Sequence, residues 1–227
     1  MLNLIEKWLK PFKRENFETI SEDLFVIWIH GANQSGLSFQ YLRSLTRFKN
    51  ELVVEYDTAN KFHNNLEMLS NEIIQVKGPY FIVGHSLGGL YALHLTKTVE
   101  VAGAVSISTP FAGSWTADWA RFFVPTYQLF RDVGRRSIPI KESQNIKLTV
   151  DWTQIVSTKG NVPYHGGQND GVCTIKSMKS RKDMELIEVP HTHFEVMCSD
   201  LVVEIILDRY QKVVRSKKTG NSIQKPI

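Results

Sequence analysis

Residues 79–89 read PYFIVGHSLGG, and this stretch decides the fold. It opens with a short apolar run, PYFIV, which is typical of a buried β-strand. A helix-like segment begins at about Leu87, so only a tight turn separates the strand from the helix. Ser86 lies in that turn, within the pattern G-x-S-x-G. A serine at such a turn presents its hydroxyl above the sheet, which predicts that Ser86 is a nucleophile.

The residues around Ser86 fit the same turn. Gly84 and Gly88 lie two positions before and after the serine, where larger side chains would collide in so sharp a bend. The helix that follows points its N-terminal N–H groups at the reacting centre and thereby favours a developing oxyanion. Gly84, His85 and Gly88 are therefore predicted to support the nucleophile turn. The alternative is a glycine-rich turn with an incidental serine.

On either side of this turn, strand-like and helix-like segments alternate along the chain. Apolar, β-rich runs predict strands at residues 24–29, 51–56, 79–83, 101–107, 147–157 and 185–189. Helix-like segments cover residues 63–76, 87–97 and 194–214. This order predicts an α/β fold with a mainly parallel central sheet and helices on both faces.

Residues 111–140 interrupt the alternation. They lack a strand pattern and are rich in aromatic side chains, so we predict a small helical cap inserted into the domain. Residues 1–214 then form a single domain, and residues 215–227 form a basic, flexible tail.

Composition excludes several classes of protein. Hydrophobic residues make up 42% of the 227 residues and charged residues 22%, which is typical of a folded globular domain and not of disordered or collagen-like chains. The net charge of +4 is modest and the basic tail has no interleaved aromatic residues, so we expect no nucleic-acid partner. Cys173 and Cys198 do not make a disulfide framework, and no signal-like apolar run opens the chain, so we expect a cytoplasmic protein.

The first 14 residues have an amphipathic pattern. Leu2, Ile5, Leu9 and Phe12 recur at helical spacing, with basic residues between them. We expect residues 1–14 either to dock onto the body of the protein or to make weak contact with a membrane surface. No stretch approaches the length of a transmembrane helix.

The hexapeptide GHSLGG resembles the nucleophile elbow of lipases and esterases in the α/β-hydrolase superfamily. This branch includes bacterial triacylglycerol lipases and proteins similar to the GPI-inositol deacylases. Three further segments, in the order of that family, extend the resemblance from about residue 24 to residue 200. The resemblance implies the α/β-hydrolase fold and a catalytic triad in the order serine, acid, histidine. Chemistry by such a triad needs no cofactor, so we expect none.

The first of these segments is HGAN, residues 30–33, directly after the first predicted strand. In the resembling lipases, the residue after the glycine gives its backbone N–H to the oxyanion hole. The resemblance therefore assigns this role to Ala32, with the N–H of Leu87 as the second donor. An ordinary glycine turn after a strand is the alternative.

The acid must follow the nucleophile in this triad order. Asp170, in the segment GQNDGV, lies in a turn that resembles the acid turn of the same lipases, and we predict that it is the acid. Asp151 and Asp132 are rival candidates in weaker contexts, and a purely structural turn role for Asp170 is the alternative.

The base comes from the segment VPHTHF, residues 189–194, which follows the sixth predicted strand. In the resembling family the catalytic histidine stands immediately before the apolar start of the last helix, which here is Phe194. His193 is therefore the predicted base, and His191 is the alternative. The two histidines could also bind a metal, but no Asp, Glu or Cys shares their local pattern.

The segment STPFAGS, residues 108–114, resembles a segment that follows the corresponding strand in these lipases, with Phe111 where histidine is frequent. Phe111, Trp115 and Trp119 are candidate residues of a substrate pocket, forming an apolar wall over Ser86. Packing of the cap onto the body is the alternative. Either interpretation favours an apolar substrate.

Together these residues predict a serine hydrolase that cleaves a carboxylic ester of an apolar acyl or aryl substrate through an acyl-enzyme intermediate. The expected partner is a small-molecule or lipid ester. A thioesterase, an amidase or an acyltransferase would use the same triad. A further alternative is a binding protein that has the hydrolase fold but no catalytic activity.

Overall fold

The structure is a computed structural model, and it describes residues 24–124, 126–163 and 167–222. The amphipathic segment predicted at residues 1–14 lies outside these ranges, as do residues 223–227 of the predicted tail. Within the described ranges, no helix is both long enough and apolar enough to cross a lipid bilayer.

Six parallel strands form one sheet within these residues. In chain order they are β1 (Phe25–Ile29), β2 (Glu51–Val54), β3 (Tyr80–His85), β4 (Val101–Ile107), β5 (Asp151–Ser157) and β6 (Glu185–Val189). Their order across the sheet is β2-β1-β3-β4-β5-β6. Parallel neighbours need long crossover connections, and helices supply them here. The predicted α/β class with a parallel sheet is confirmed.

Eight α-helices lie in the described part of the chain. They are α1 (Gln40–Thr46), α2 (Phe62–Ile73), α3 (Leu87–Leu95), α4 (Trp115–Phe123), α5 (Gln128–Val133), α6 (Ile138–Asn145), α7 (Ile175–Met178) and α8 (Asp200–Ser222). Two short 3₁₀ helices, Gly36–Phe39 and Glu195–Cys198, precede α1 and α8.

The central strand β3 is buried along its whole length. Side chains alternate between the two faces of a strand. Tyr80 and Ile82 accordingly pack into the core shared with α2 and α3, whereas Phe81 and Val83 pack into the core shared with α8. The rings of Phe81 and Tyr210 are 5.5 Å apart between centroids. Burying one such apolar side chain stabilises the fold by about 1.5–3 kcal/mol, so an uninterrupted apolar strand secures both layers.

The segment between β4 and β5 forms the cap and contains α4, α5 and α6. Helix α6 ends at Asn145, so the cap extends past its predicted end at residue 140. The two ends of the insertion meet, because Nε2 of Gln144 donates a hydrogen bond of 2.6 Å to the carbonyl oxygen of Phe111. The guanidinium of Arg181 donates to the carbonyl oxygens of Ser143 and Ile146 at 2.5 and 2.6 Å. The cap therefore enters and leaves the body at one place.

The element boundaries follow the predictions closely at β4 and β6, which have the predicted bounds. Strand β5 begins at Asp151 and not at residue 147, because its pairing with β4 starts where Asp151 lies opposite Gly103. Helix α8 continues to Ser222, so residues 215–222 of the segment predicted as a flexible tail are helical. Near that end, Lys217 lies 3.6 Å from Glu100 at the base of β4.

Candidate active site

The predicted site segments lie at one edge of the sheet. Because the strands are parallel, the residues that follow them meet at the carboxyl edge, where α/β proteins bind ligands. Gly31 follows β1, Ser86 follows β3, Asp170 lies between β5 and α7, and His193 follows β6. Asp151, the rival acid, is the first residue of β5 and lies at the opposite edge, 3.3 Å from Lys212.

Ser86 occupies a strained turn between β3 and α3. Its φ of 51° and ψ of −117° are dihedrals that residues other than glycine rarely adopt. A Cβ on Gly88 would lie 2.0 Å from the carbonyl oxygen of Ile29, and one on Gly84 would lie 2.7 Å from the carbonyl carbon of Gly88. Both positions therefore require glycine. The N–H of Ser86 donates to the carbonyl oxygen of Ile107 at 2.8 Å, which anchors the turn to β4.

The predicted acid and base are hydrogen-bonded to each other. Nδ1 of His193 lies 2.7 Å from Oδ2 of Asp170 and donates its proton to it. Nε2 then carries the lone pair that a general base needs. His191 lies instead 2.8 Å from the hydroxyl of Ser199, and Asp132 accepts the N–H of Phe62 at 3.2 Å. The structure thus pairs the predicted acid Asp170 with the predicted base His193.

The carboxylate of Asp170 is fully buried and accepts hydrogen bonds on both oxygens. Oδ1 accepts the N–H groups of Val172 and Cys173 at 3.0 and 2.7 Å, and Oδ2 accepts the hydroxyl of Ser157 at 2.5 Å besides His193. Burial raises the pKa of Asp170, but the bond and charge of His193, with the bonds from Ser157 and Cys173, outweigh it and lower the pKa below its ordinary value. Asp170 is therefore an ionised partner for an imidazole.

The predicted oxyanion donors flank Ser86. Leu87 begins α3, and Ala32 follows Gly31, where a Cβ would lie 3.3 Å from Cβ of Ser86. Within the described ranges, neither the N–H of Ala32 nor that of Leu87 donates to a protein acceptor. Two open N–H groups on either side of a serine are suited to hold an oxyanion.

Three residues that the sequence reasoning missed also lie here. Ser157 bonds Asp170, and the hydroxyl of Ser108 lies 2.6 Å from that of Ser157, so the two serines extend the chain of hydrogen bonds behind the carboxylate. Gln34 bonds the backbone of Gly31. The signal available for Ser157 and Ser108 was their position at the carboxyl ends of predicted strands, because carboxyl ends gather at this edge.

No protein-family model and no curated protein matches the sequence. Solved structures do match it in three dimensions. The lipase BlEst2 of Bacillus licheniformis, in its propeptide form, has a TM-score of 0.70 at 17% identity, with 86% of this chain and 52% of the lipase covered. The chain has the α/β-hydrolase fold. It spans about half the length of that lipase.

Two further solved structures with this fold align with this chain over almost their whole length. A YdeN-like hydrolase of Pectobacterium atrosepticum has a TM-score of 0.57 at 15% identity, with 86% of this chain and 94% of that chain covered. Tomato methylketone synthase I, complexed with 2-tridecanone, has a TM-score of 0.55 at 14% identity, with coverages of 84% and 99%. At such identities the likeness establishes the fold alone.

The cap differs from the predicted substrate wall at Phe111. Phe111 is fully buried and packs edge-on against Trp152, with 6.5 Å between ring centroids, so it belongs to the core and not to a pocket. Trp115 and Trp119 are 41% and 56% exposed, and Phe122 and Phe123 on the same helix are exposed further. These four aromatic side chains of α4 are therefore exposed to solvent over a large part of their surface.

Asp170, Cys173 and His193 also form a cluster of potential metal ligands, whose donor atoms lie within 4.8 Å of one another. Burial, followed by the charge of Asp170, raises the pKa of the Cys173 thiol well above its ordinary value, so the thiol stays protonated. Binding a metal here would break the hydrogen bond between Asp170 and His193. The cluster fits an acid–base pair better than a metal site.

Proposed function

We propose that the protein is a serine hydrolase that cleaves a carboxylic ester of an apolar acyl or aryl substrate through an acyl-enzyme intermediate. The observation that carries the proposal is the hydrogen bond between Asp170 and His193 at the edge of the sheet where the strained turn presents Ser86. A buried ionised carboxylate, an imidazole with its second nitrogen available and an activated serine are the parts that this chemistry needs. Lipase and hydrolase structures with the same fold support the reaction class.

In the acylation step, Nε2 of His193 takes the proton of the Ser86 hydroxyl while Oγ attacks the carbonyl carbon of the ester. The carbonyl π electrons move to the oxygen, and the N–H groups of Ala32 and Leu87 hold the resulting oxyanion. The electron pair then returns, the C–O bond to the alcohol breaks, and His193 protonates the departing oxygen. Asp170 stabilises the imidazolium throughout.

Deacylation repeats these steps with water. His193 removes a proton from a water molecule, whose oxygen attacks the acyl carbon and forms a second tetrahedral oxyanion. Collapse of this intermediate breaks the bond to Ser86, which regains its proton from His193 and releases the carboxylic acid. Besides the ester and water, these steps use the side chains of Ser86, His193 and Asp170 and the two backbone N–H groups.

An apolar substrate is supported by the side chains around the carboxyl edge. Phe194, next to His193, is 60% exposed, and the aromatic face of α4 is exposed as well. Clusters of large exposed apolar side chains mark surfaces that meet an apolar partner. A charged substrate would gain little from such surroundings.

The test is labelling with a fluorophosphonate probe combined with a panel of p-nitrophenyl esters of rising chain length. We expect the wild-type protein to take the probe, Ser86→Ala to lose labelling and turnover, and apolar acyl groups to be preferred. Thioesters, amides and acyl acceptors in the same panel distinguish thioesterase, amidase and acyltransferase activity. A folded wild-type protein that refuses the probe would instead support a binding protein.

We further propose a cytoplasmic protein that contacts membrane surfaces weakly through residues 1–14. The amphipathic spacing of Leu2, Ile5 and Leu9 supports this contact. Full-length protein and its Leu9→Glu variant are compared by co-sedimentation with vesicles of anionic phospholipid. Less sedimentation of the variant supports the contact, and equal sedimentation contradicts it.

A further inference from the structure

Gln34 and His85 connect the two loops that flank the proposed nucleophile. Oε1 of Gln34 accepts the N–H of Gly31 at 3.1 Å and lies 3.0 Å from Nδ1 of His85. On the other side of the same ring, Nε2 of His85 lies 3.1 Å from the carbonyl oxygen of His193. The imidazole of His85 thus touches the loop of the oxyanion donor through Gln34 and the loop of the base directly.

Gly31 is held through both of its backbone polar groups. Its carbonyl oxygen accepts the N–H of Gln34 at 3.3 Å and lies 2.8 Å from Nδ1 of His30, whereas its N–H donates to the side chain of Gln34. A Cβ on Gly31 would lie 2.8 Å from Oε1 of Gln34 and 3.0 Å from Nδ1 of His85, so no side chain fits at this position. A glycine backbone has the widest range of dihedral angles. The hydrogen bond from its N–H to Gln34 restricts that range and thereby sets the direction of the next N–H, which belongs to Ala32.

His85 is suited to connect the two loops because it is buried and uncharged near pH 7. Its side chain is fully buried between the two loops. Burial, followed by the charge of His193, lowers the pKa of His85 to about 3, so the ring is neutral near pH 7. A neutral imidazole has one N–H, whereas its two nitrogens face the oxygens of Gln34 and His193. The ring therefore donates a hydrogen bond to one of these two oxygens and lies in contact with the other.

We propose that Gln34 and His85 are positioning residues, which aim the N–H of Ala32 at the oxyanion and hold the loop of His193 in register with Ser86. The inference rests on the proposed hydrolase function and deepens it. Neither residue touches the reacting atoms. Their effect is exerted through the backbone of Gly31 and His193.

The experiment compares wild-type protein with Gln34→Met and Gln34→Glu. Methionine keeps the volume of the side chain but removes the acceptor for the N–H of Gly31. Glutamate keeps an oxygen acceptor for that N–H. The measured quantities are kcat and KM for a p-nitrophenyl ester, and Ki for an aryl trifluoromethyl ketone, which forms a tetrahedral adduct with the serine.

We expect Gln34→Met to lower kcat about 10- to 100-fold, somewhat less than the loss of a whole oxyanion donor. KM should stay within about twofold of wild type, and Ki should rise by the factor lost in kcat/KM, since both report binding of the tetrahedral state. Gln34→Glu should recover most of the activity. Gln40→Ala, an exposed glutamine at the start of α1, is the matched control and should behave as wild type.

A double-mutant cycle adds an independent readout. If Gln34 and His85 act as one unit, Gln34→Met combined with His85→Phe should lose little more than the worse single variant. If Gln34→Met does not fold, Gln34→Ala takes its place in every comparison.

The outcomes separate this inference from the function on which it rests. An active wild-type enzyme whose Gln34→Met variant keeps its kcat and Ki overturns the inference alone, and so does a Glu variant as impaired as the Met variant. A change confined to KM would indicate a substrate contact and also overturns it. A wild-type protein without turnover or probe labelling overturns the proposed function and this inference together.

Discussion

His193 is hydrogen-bonded to Asp170 twice. Nδ1 of the ring lies 2.7 Å from Oδ2, and the backbone N–H of His193 donates to the carbonyl oxygen of Asp170 at 2.9 Å. The backbone bond fixes the loop after β6 to the turn after β5, so the contact between the two side chains does not depend on rotamer choice alone. Changing the carboxyl group should therefore alter the chemistry of the site without displacing the loop.

Asp170→Asn tests this relationship. The asparagine amide would donate to Nδ1, so the proton of the imidazole would move to Nε2, where it blocks the removal of the serine proton. We expect kcat for a p-nitrophenyl ester to fall by about 10⁴-fold, with an unchanged circular dichroism spectrum. Asp151→Asn, at the opposite edge of the sheet, is the control and should keep full activity. Near-normal turnover of Asp170→Asn would remove Asp170 from the mechanism.

The two histidines of the loop after β6 should behave differently. His193 bonds the carboxylate, whereas His191 bonds Ser199, so only the first is placed to act as base. We expect His193→Ala to lower kcat by at least about 10³-fold and His191→Ala to leave it unchanged in steady-state assays. If His191→Ala is the inactive variant, our assignment of the base is wrong.

Ser157→Ala should shift the pH dependence of the reaction. The hydroxyl of Ser157 donates to the ionised carboxylate of Asp170 and helps to lower its pKa, so its removal raises that pKa. The carboxylate would then be protonated at a higher pH, and activity would be lost earlier on acidification. The pH profile of kcat/KM measures this, with Ser199→Ala as the matched control. Superimposable profiles for wild type and Ser157→Ala would contradict the prediction.

His94 makes the stability of the protein depend on pH. Burial lowers its pKa to about 4, whereas an unfolded histidine titrates near 6.5, so the unfolded chain binds the proton more tightly. The stabilisation that results is present above about pH 6.5 and is lost as the pH falls toward 4. By pH 5 the loss amounts to about 2 kcal/mol of unfolding free energy.

His94→Gln removes this titration but keeps a donor for the carbonyl oxygen of Pro139, which Nε2 of His94 contacts at 3.0 Å. Urea unfolding at pH 7 and pH 5 should therefore show a difference between the two pH values that is about 2 kcal/mol smaller in the variant. His85 contributes equally to both proteins and cancels in the comparison. Equal differences would mean that His94 does not titrate with folding.

Gly88→Ala measures how tightly the nucleophile turn is packed, and Gly103→Ala in strand β4 is the comparison variant. In Gly88→Ala the new methyl group would lie 2.0 and 2.5 Å from the carbonyl oxygens of Ile29 and His30. Relieving this clash would require the backbone of β1 and its following loop to shift, which costs more free energy than moving a side chain. In Gly103→Ala the methyl group meets the movable side chain of Val213 at 2.6 Å. We expect Gly88→Ala to lose at least about 3 kcal/mol of unfolding free energy and Gly103→Ala clearly less. The reverse order in denaturant melts would refute this packing.

Much of the fold could be predicted because its signals are local. The apolar runs at Val101–Ile107 and Glu185–Val189 coincide with β4 and β6, and the turn at Ser86 required glycines that the sequence displays. The start of β5 could not be placed, since it depends on where pairing with Gly103 begins. A pattern along one chain does not report the register between two strands.

Site residues that belong to a sequence motif were predicted, whereas those brought together only by the fold were missed. The segment NDGV announces Asp170, whereas no local pattern announces Gln34, whose partner His85 is 51 positions away. The solvent exposure of individual side chains in the cap could not be predicted from the sequence either. The aromatic residues of the cap predicted an apolar surface, but spacing could not reveal that Phe111 faces inward while Trp119 faces outward. Such distinctions arise from packing between elements.

The bond that joins Gln144 to Phe111 gives the insertion between β4 and β5 a closed base. A segment with adjoining ends can be lengthened, shortened or exchanged while the pairing of the strands beside it stays the same. Variation of this insertion could thus change the substrate preference of the proposed hydrolase while Ser86, Asp170 and His193 keep their positions.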